Sequence, residues 1–200
     1  MKTQIITLFT ALLLGSGIAN STYAAAPVKN QNVTVLTDIS AINKIEVYGN
    51  VELYISDGSA DQVKVYNEYY GESALVQSRN GVLRISSYKN EKLVVWVTAN
   101  DLRSISAFDN AEVKSFGTLS KIELNVDLHN NASAKLNLDA YNASVTLNDH
   151  AKADLSGTAT ELSLKHSLGS SINNYNFSAL HLTDNKTAMA EAKTEDLAGL

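Results

Sequence analysis

The groups in this chain that could do chemistry are four histidines, a scatter of acids and a cluster of tyrosines. A zinc centre would need three or four ligands converging on one point. His129 and His150 have Asp127, Asp149 and Asp154 nearby, but at offsets that do not repeat; His166 and His181 stand apart from them. Calcium-binding β-rolls need a repeated G-G-x-G-x-D motif, which is absent. Glycoside cleavage needs paired carboxylates at a set separation. Glu123, Asp127, Asp139 and Asp154 are spread along the polar phase instead. No G-x-S-x-G frame supports a serine nucleophile, and no glycine-rich loop would cradle a phosphate. The reading is therefore no catalytic residue, no metal ligand and no cofactor.

Aromatic residues are the remaining signal. Tyr48, Tyr54, Tyr66, Tyr69, Tyr70, Tyr88 and Trp96 all fall in the first half. Such rings stack on sugars and anchor protein contacts, although strands also favour tyrosine for its propensity alone. Tyr69 and Tyr70 are the candidate ligand contact, because adjacent strand residues cannot both point inward.

The elements that would position these groups are strands. In LNVDLHNNASAKLNLDA, from Leu124 to Ala140, apolar residues alternate and only Asn130 breaks the run. The pattern recurs in SAFDNAEVKS, TLNDHAKADL, KHSLGSSINN and TDNKTAMAEA. Aligning Ala111, Ala132, Ala151, Ser170 and Thr187 gives steps of 21, 19, 19 and 17 residues. A period near 19 with no helical spacing fits one coil of a β-solenoid, in which like residues stack. Ala111, Ala132, Ala151 and Ser170 form a column of small residues where the chain bends. Two positions earlier, Asp109, Asn130, Asp149 and Asn185 form a polar corner column, since Asn and Asp tolerate left-handed backbone. His166 falls in the apolar column of Ala107, Leu128 and Leu147, as a core histidine bonded to backbone. The last step of 17 implies a shortened final coil, with TEDLAGL as its cap.

The first half alternates too, with strands expected around Ile45–Val47, Val51–Ile55 and Val63–Tyr66. Gly49-Asn50, Asp57-Gly58 and Asn80-Gly81 read as hairpin turns. Lys92–Thr98 reads as a strand buried on both faces.

Composition narrows the class. The chain has 200 residues, a net charge of −5 and no cysteine. An acidic surface argues against nucleic acid, and the lack of cysteine removes disulfides and thiolate chemistry. Residues 1–24 read as a secretory signal peptide: one lysine, a short apolar run from Ile5 to Leu14, then small residues. The run is too short to span a bilayer. The exported chain then divides into an extended segment over 25–36 and one domain over 37–200, hairpin-rich to about 100 and coiled from about 101.

INKIEVYGNVELYISDGSADQVKV, NGVLRISSY and the run into DLRSISAFDNAEVKS resemble the GIN domain of auto-transporter adhesin heads. The resemblance covers roughly Thr37 to the C-terminus. It implies an all-β, right-handed parallel β-helix in an exported protein of a Bacteroidota-type bacterium. It supplies no binding residues. The expected function is non-catalytic, adhesin-like binding of an extended ligand, glycan or protein, at the cell envelope. The location would be periplasm, cell surface or medium, without a membrane span once the signal is removed. The alternatives are a polysaccharide lyase or hydrolase using a lateral groove, and a structural envelope protein that forms homo-oligomers.

Overall fold

Alternating apolar residues produce strands throughout. The computed structural model describes residues 33–36, 39, 41–66 and 74–187, and every regular element among them is a strand. They are β1 (Val33–Leu36), β2 (Lys44–Tyr48), β3 (Val51–Asp57), β4 (Gln62–Tyr66), β5 (Ala74–Arg79), β6 (Val82–Ser87) and β7 (Leu93–Ala99). There follow β8 (Ser104–Ala107), β9 (Glu112–Ser115), β10 (Leu119–Leu128), β11 (Ser133–Leu147), β12 (Lys152–Ser167) and β13 (Ser171–Thr187).

All thirteen strands join one mixed sheet. Parallel pairing dominates. One stack runs β6–β2–β8–β10, with Leu83, Ile45, Ile105 and Val126 in register. Another runs β7–β3–β9–β11, through Val95, Leu53, Val113 and Ala134. β10, β11, β12 and β13 continue as successive parallel rungs. Antiparallel pairs occur where β1 joins β4, β4 joins β7, and β5 joins β6. The chain is therefore all-β with a curled mixed sheet.

The inward phase of these rungs makes the core. Ile45, Leu53, Leu83, Ile105, Leu124 and Leu128 are fully buried. Each such side chain contributes roughly 1.5–3 kcal/mol of apolar burial. Ala111, Ala132 and Ala151 are buried too. They stand in file, since Ser133 N–H donates to Ala111 O at 2.9 Å and Lys152 N–H to Ala132 O at 3.0 Å.

Two turns differ from their sequence reading. Gly49-Asn50 does not close a hairpin: β2 and β3 pair with different neighbours, so the pair is a corner between the two stacks. A glycine is needed there, because φ is +83° and a Cβ would lie 2.3 Å from the Ser87 carbonyl oxygen. Asp57-Gly58 likewise links β3 to β4, whose partners are β1 and β7. Asn80-Gly81 does turn a hairpin, β5–β6, with positive φ at both residues. β7 also alternates instead of being buried on both faces: Leu93, Val95, Val97 and Ala99 point inward, while Val94, Trp96 and Thr98 are half-buried.

The last rung departs from the sequence alignment. Asp154 pairs with Asn173, but Ser156 pairs with Asn176, so a bulge lengthens this coil by one residue instead of shortening it. Thr187 consequently lies beside Ser167, and Asn185 beside Lys165. The core also gives out here. Val145 and Leu164 are followed in file by Asp184, and Leu147 and His166 by Lys186.

Candidate functional site

Three sets of outward side chains are built by this stacking. The first is the corner ladder. Asp109, Asn130 and Asp149 hold φ of 60°, 58° and 55°. The Asp109 carboxylate accepts Gly49 N–H at 3.0 Å, Asn130 Oδ1 accepts Asp109 N–H at 3.1 Å, and Asp149 accepts Asn130 N–H at 2.9 Å. Each side chain thus satisfies a backbone donor of the rung before it. Asn185 takes no part in this ladder; it lies within β13 opposite Lys165, away from any corner. Ser170, half-buried, follows Ala151 in the small-residue file.

The second set is a column of rings. Tyr48 ends β2, and Phe108 and His129 follow β8 and β10 on successive rungs. Tyr48 and Phe108 stack at 4.7 Å and 4°, Phe108 and His129 at 4.6 Å and 11°. His129 Nε2 meets Asp127 at 2.9 Å, and Asn148 donates to the same carboxylate at 3.1 Å. Beyond Tyr48, the surface falls into a recess of ≈ 520 Å³ lined by Tyr48, Gly49, Arg84, Ser86, Ser87, Tyr88 and Asp109. Glu46 sits beside it, accepting from Arg84 Nε at 3.1 Å and Nη2 at 2.7 Å. Lys44 and Arg84 together hold the Glu46 carboxyl below its usual range.

The third set lies on the β3–β7–β9 side. Trp96 stacks on Tyr54 at 4.7 Å and touches Tyr66 and Phe116. Next to these rings, Glu52 and Glu112 face each other on adjacent rungs, an arrangement not legible from their spacing. Lys114 bridges them, at 2.5 Å from Glu52 and 3.1 Å from Glu112, and Lys92 meets Glu112 at 2.7 Å. The Lys114 bond depresses the Glu52 carboxyl, the Lys92 bond depresses Glu112, and Lys114 itself is pushed up. Both acids are therefore charged at neutral pH, and neither is poised as a proton donor.

The histidines do not converge. His166 is mostly buried in the column after Leu147, with Nε2 at 3.1 Å from the Asp184 carboxylate in place of the expected backbone partner. Its Nδ1 has no hydrogen-bond partner. Among the described residues no group of three His, Asp or Glu could hold a metal ion. Tyr69 and Tyr70 lie outside the described residues. The recess was missed in the sequence because its walls come from β2, β6 and the loop after β6, whose pairing is not local.

The chain belongs to the family described as "Putative auto-transporter adhesin, head GIN domain", whose model matches residues 41–196. Its fold is similar to a "putative adhesin" from Bacteroides fragilis, with TM-score 0.69 and 16% identity over 79% of this chain and 78% of that one. A "putative adhesin" from Parabacteroides distasonis matches at TM-score 0.58, with 16% identity over 80% of each chain. A "putative lipid binding protein" from the same species matches at 0.53, with 13% identity over 75% and 76%. No curated protein matches the chain. At these identities the structural likeness concerns the fold alone.

Proposed function

We propose that this GIN-domain protein is an exported, non-catalytic, adhesin-like module that binds a ligand at the cell envelope through its outward ring-bearing face. Residues 1–24 act as the export signal, and 37–200 form one domain whose parallel rungs wind as a right-handed β-helix. The family description supports adhesion, and the N-terminal sequence supports export to periplasm, cell surface or medium. No helix among the described residues is long and apolar enough to cross a membrane.

The observation that carries the reading is the Glu52–Glu112 pair. Adjacent carboxylates are what a polysaccharide hydrolase would use, yet Lys114 bonds to both and keeps them charged. A general acid needs the opposite shift. The test is retention of the labelled exported chain on arrayed glycans and on immobilised collagen, laminin and fibronectin. Saturable retention, unchanged in Glu52→Gln and Glu112→Gln, is expected. Retention of nothing on any surface would overturn the proposal.

A further inference from the structure

We infer that the recess beside Tyr48 is a sugar-binding slot that takes one neutral pyranose ring, the ring stacking on Tyr48 as the next member of the column. This rests on reading the chain as a binding module, and it names the place and the ligand class.

The column supplies the geometry. His129, Phe108 and Tyr48 stack nearly parallel at rung spacing, each covering a face of the next. On the far side of Tyr48 the neighbouring strand is β6, where Ser86 is in register with it. Serine is too small to continue the stack. Tyr48 therefore has one face on Phe108 and the other turned to the recess, with Ser86 as floor and the exposed Tyr88 among its walls. Strands lie about 4.8 Å apart, close to the distance at which a ring rests on an aromatic face, so a ring placed over Ser86 sits at stacking distance from Tyr48.

The rim chooses the ligand. Arg84, Ser87 and Asp109 place donors and acceptors around the opening, as the edge of a hydroxylated ring requires. An aromatic side chain from a protein partner would desolvate those groups and pair at most one of them. Charge points to a neutral sugar. Glu46 is shared by Arg84 at 2.7 Å and Lys44 at 2.8 Å, and Asp109 adds the second negative charge that balances these two cations and opposes any anion. A uronate or phosphate would meet no uncompensated cation.

The corner side of the slot is fixed in shape. Gly49 N–H is held by Asp109, and Gly49 lies so close to the Ser87 carbonyl that no Cβ fits between them. Asn50 donates to Asn90 O at 2.7 Å, tying the loop that carries Tyr88 to the corner. The exposed Tyr88 side chain is what binding must still order.

The test is saturation-transfer NMR on the exported chain. The probes are methyl β-galactopyranoside, methyl β-glucopyranoside, methyl α-mannopyranoside, N-acetylglucosamine and, as an aromatic comparison, N-acetyltyrosinamide. At least one sugar should receive transfer at its ring C–H protons. Tyr48→Leu and Ser86→Tyr should weaken that sugar by about tenfold, the value of one stacking contact. Tyr88→Ala, at an exposed wall outside the core, should weaken it several-fold. Transfer unaffected by all three variants would overturn the slot while leaving the binding-module reading intact. Transfer to N-acetyltyrosinamide alone would overturn the sugar assignment. No transfer to any sugar would overturn the slot, and array retention then judges the broader reading separately.

Discussion

The Asp149 carboxylate accepts the backbone N–H of Asn130 at 2.9 Å, one rung away, and both residues hold left-handed backbone, with φ of 55° and 58°. Conformation and hydrogen bond reinforce each other, since the side chain that tolerates the corner also satisfies the corner next to it. Asn130→Ala removes the acceptor for Asp109 N–H and puts a less tolerant residue at positive φ. The expected loss is about 2 kcal/mol, read as a lower urea midpoint. Asn130→Gly, which relieves only the backbone, should lose less. No loss in Asn130→Gly, which lacks the acceptor for Asp109 N–H as well, would contradict the ladder.

Gly157 tests rung stacking inside a long strand. Its φ is +106°, and a Cβ would sit 2.0 Å from the Leu138 carbonyl oxygen on the rung before. Gly157→Ala forces β11 and β12 apart at that point. A cost on the order of 1–3 kcal/mol is expected, seen as a lower thermal midpoint. An unchanged midpoint would mean that the two strands do not approach as closely as described.

Acid should loosen the ion pairs around Lys114 and those of Glu46 with Lys44 and Arg84. Glu46, Glu52 and Glu112 all have carboxyls depressed below their ordinary value of 4.5 by bonded lysines and arginine. A lowered folded pKa gives stability that is present above that ordinary value and lost as pH falls through the folded value. The urea midpoint should hold from neutrality to about pH 5 and then decline. Lys114→Met should lower the midpoint at neutral pH, because Glu52 and Glu112 then face each other unbridged, and should flatten the acid decline. A wild-type midpoint constant down to pH 3 would contradict this account.

His166 is where the core turns polar. Its column continues Ala107, Leu128 and Leu147, yet its Nδ1 is buried without a partner. His166→Leu completes the apolar file and removes the orphaned nitrogen. Asp184, half exposed at 51%, stays hydrated after losing its partner. A gain of about 1 kcal/mol is expected from chemical denaturation. A loss would show that the His166–Asp184 contact holds the last rung in place.

Much of the fold was legible because stacking converts a period in the chain into neighbours in space. Ala111, Ala132 and Ala151 could be aligned from spacing alone, and so could Asp109, Asn130 and Asp149. Gly49-Asn50 was misread because a corner and a two-residue hairpin turn call for the same left-handed residues. Only the partners of β2 and β3 distinguish the two, and those partners lie far along the chain. The final alignment slipped past the bulge between Asp154 and Ser156, where the extra residue moves the half-buried phase from Ile172 and Asn174 to Phe177 and Ala179. The bulge accounts for one residue of the error; the rest came from the corner-like TDNKTA, which drew Asn185 into the column although the step there is 20 residues, Ser167 to Thr187.

The functional face was less legible for the same reason. Tyr48 ends β2, Ser86 lies in β6 and Phe108 follows β8, and nothing in their spacing brings them together. Glu52 and Glu112 meet across β3 and β9 in the same way. Repetition fixes register only where coils follow one another directly. The first half reaches its neighbours through intervening strands, so its side-chain pairs carry no period to read.

The most direct measurement of whether this is a recognition module or an enzyme is the chain length of the polysaccharide it retains best, followed by mass spectrometry of the ends during prolonged incubation with the exported chain. The proposal predicts a polymer that is bound and returned at its original length, with no new reducing or unsaturated ends. Shortened products that disappear in Glu52→Gln or Glu112→Gln would contradict it, and would make the bridged carboxylates a catalytic pair.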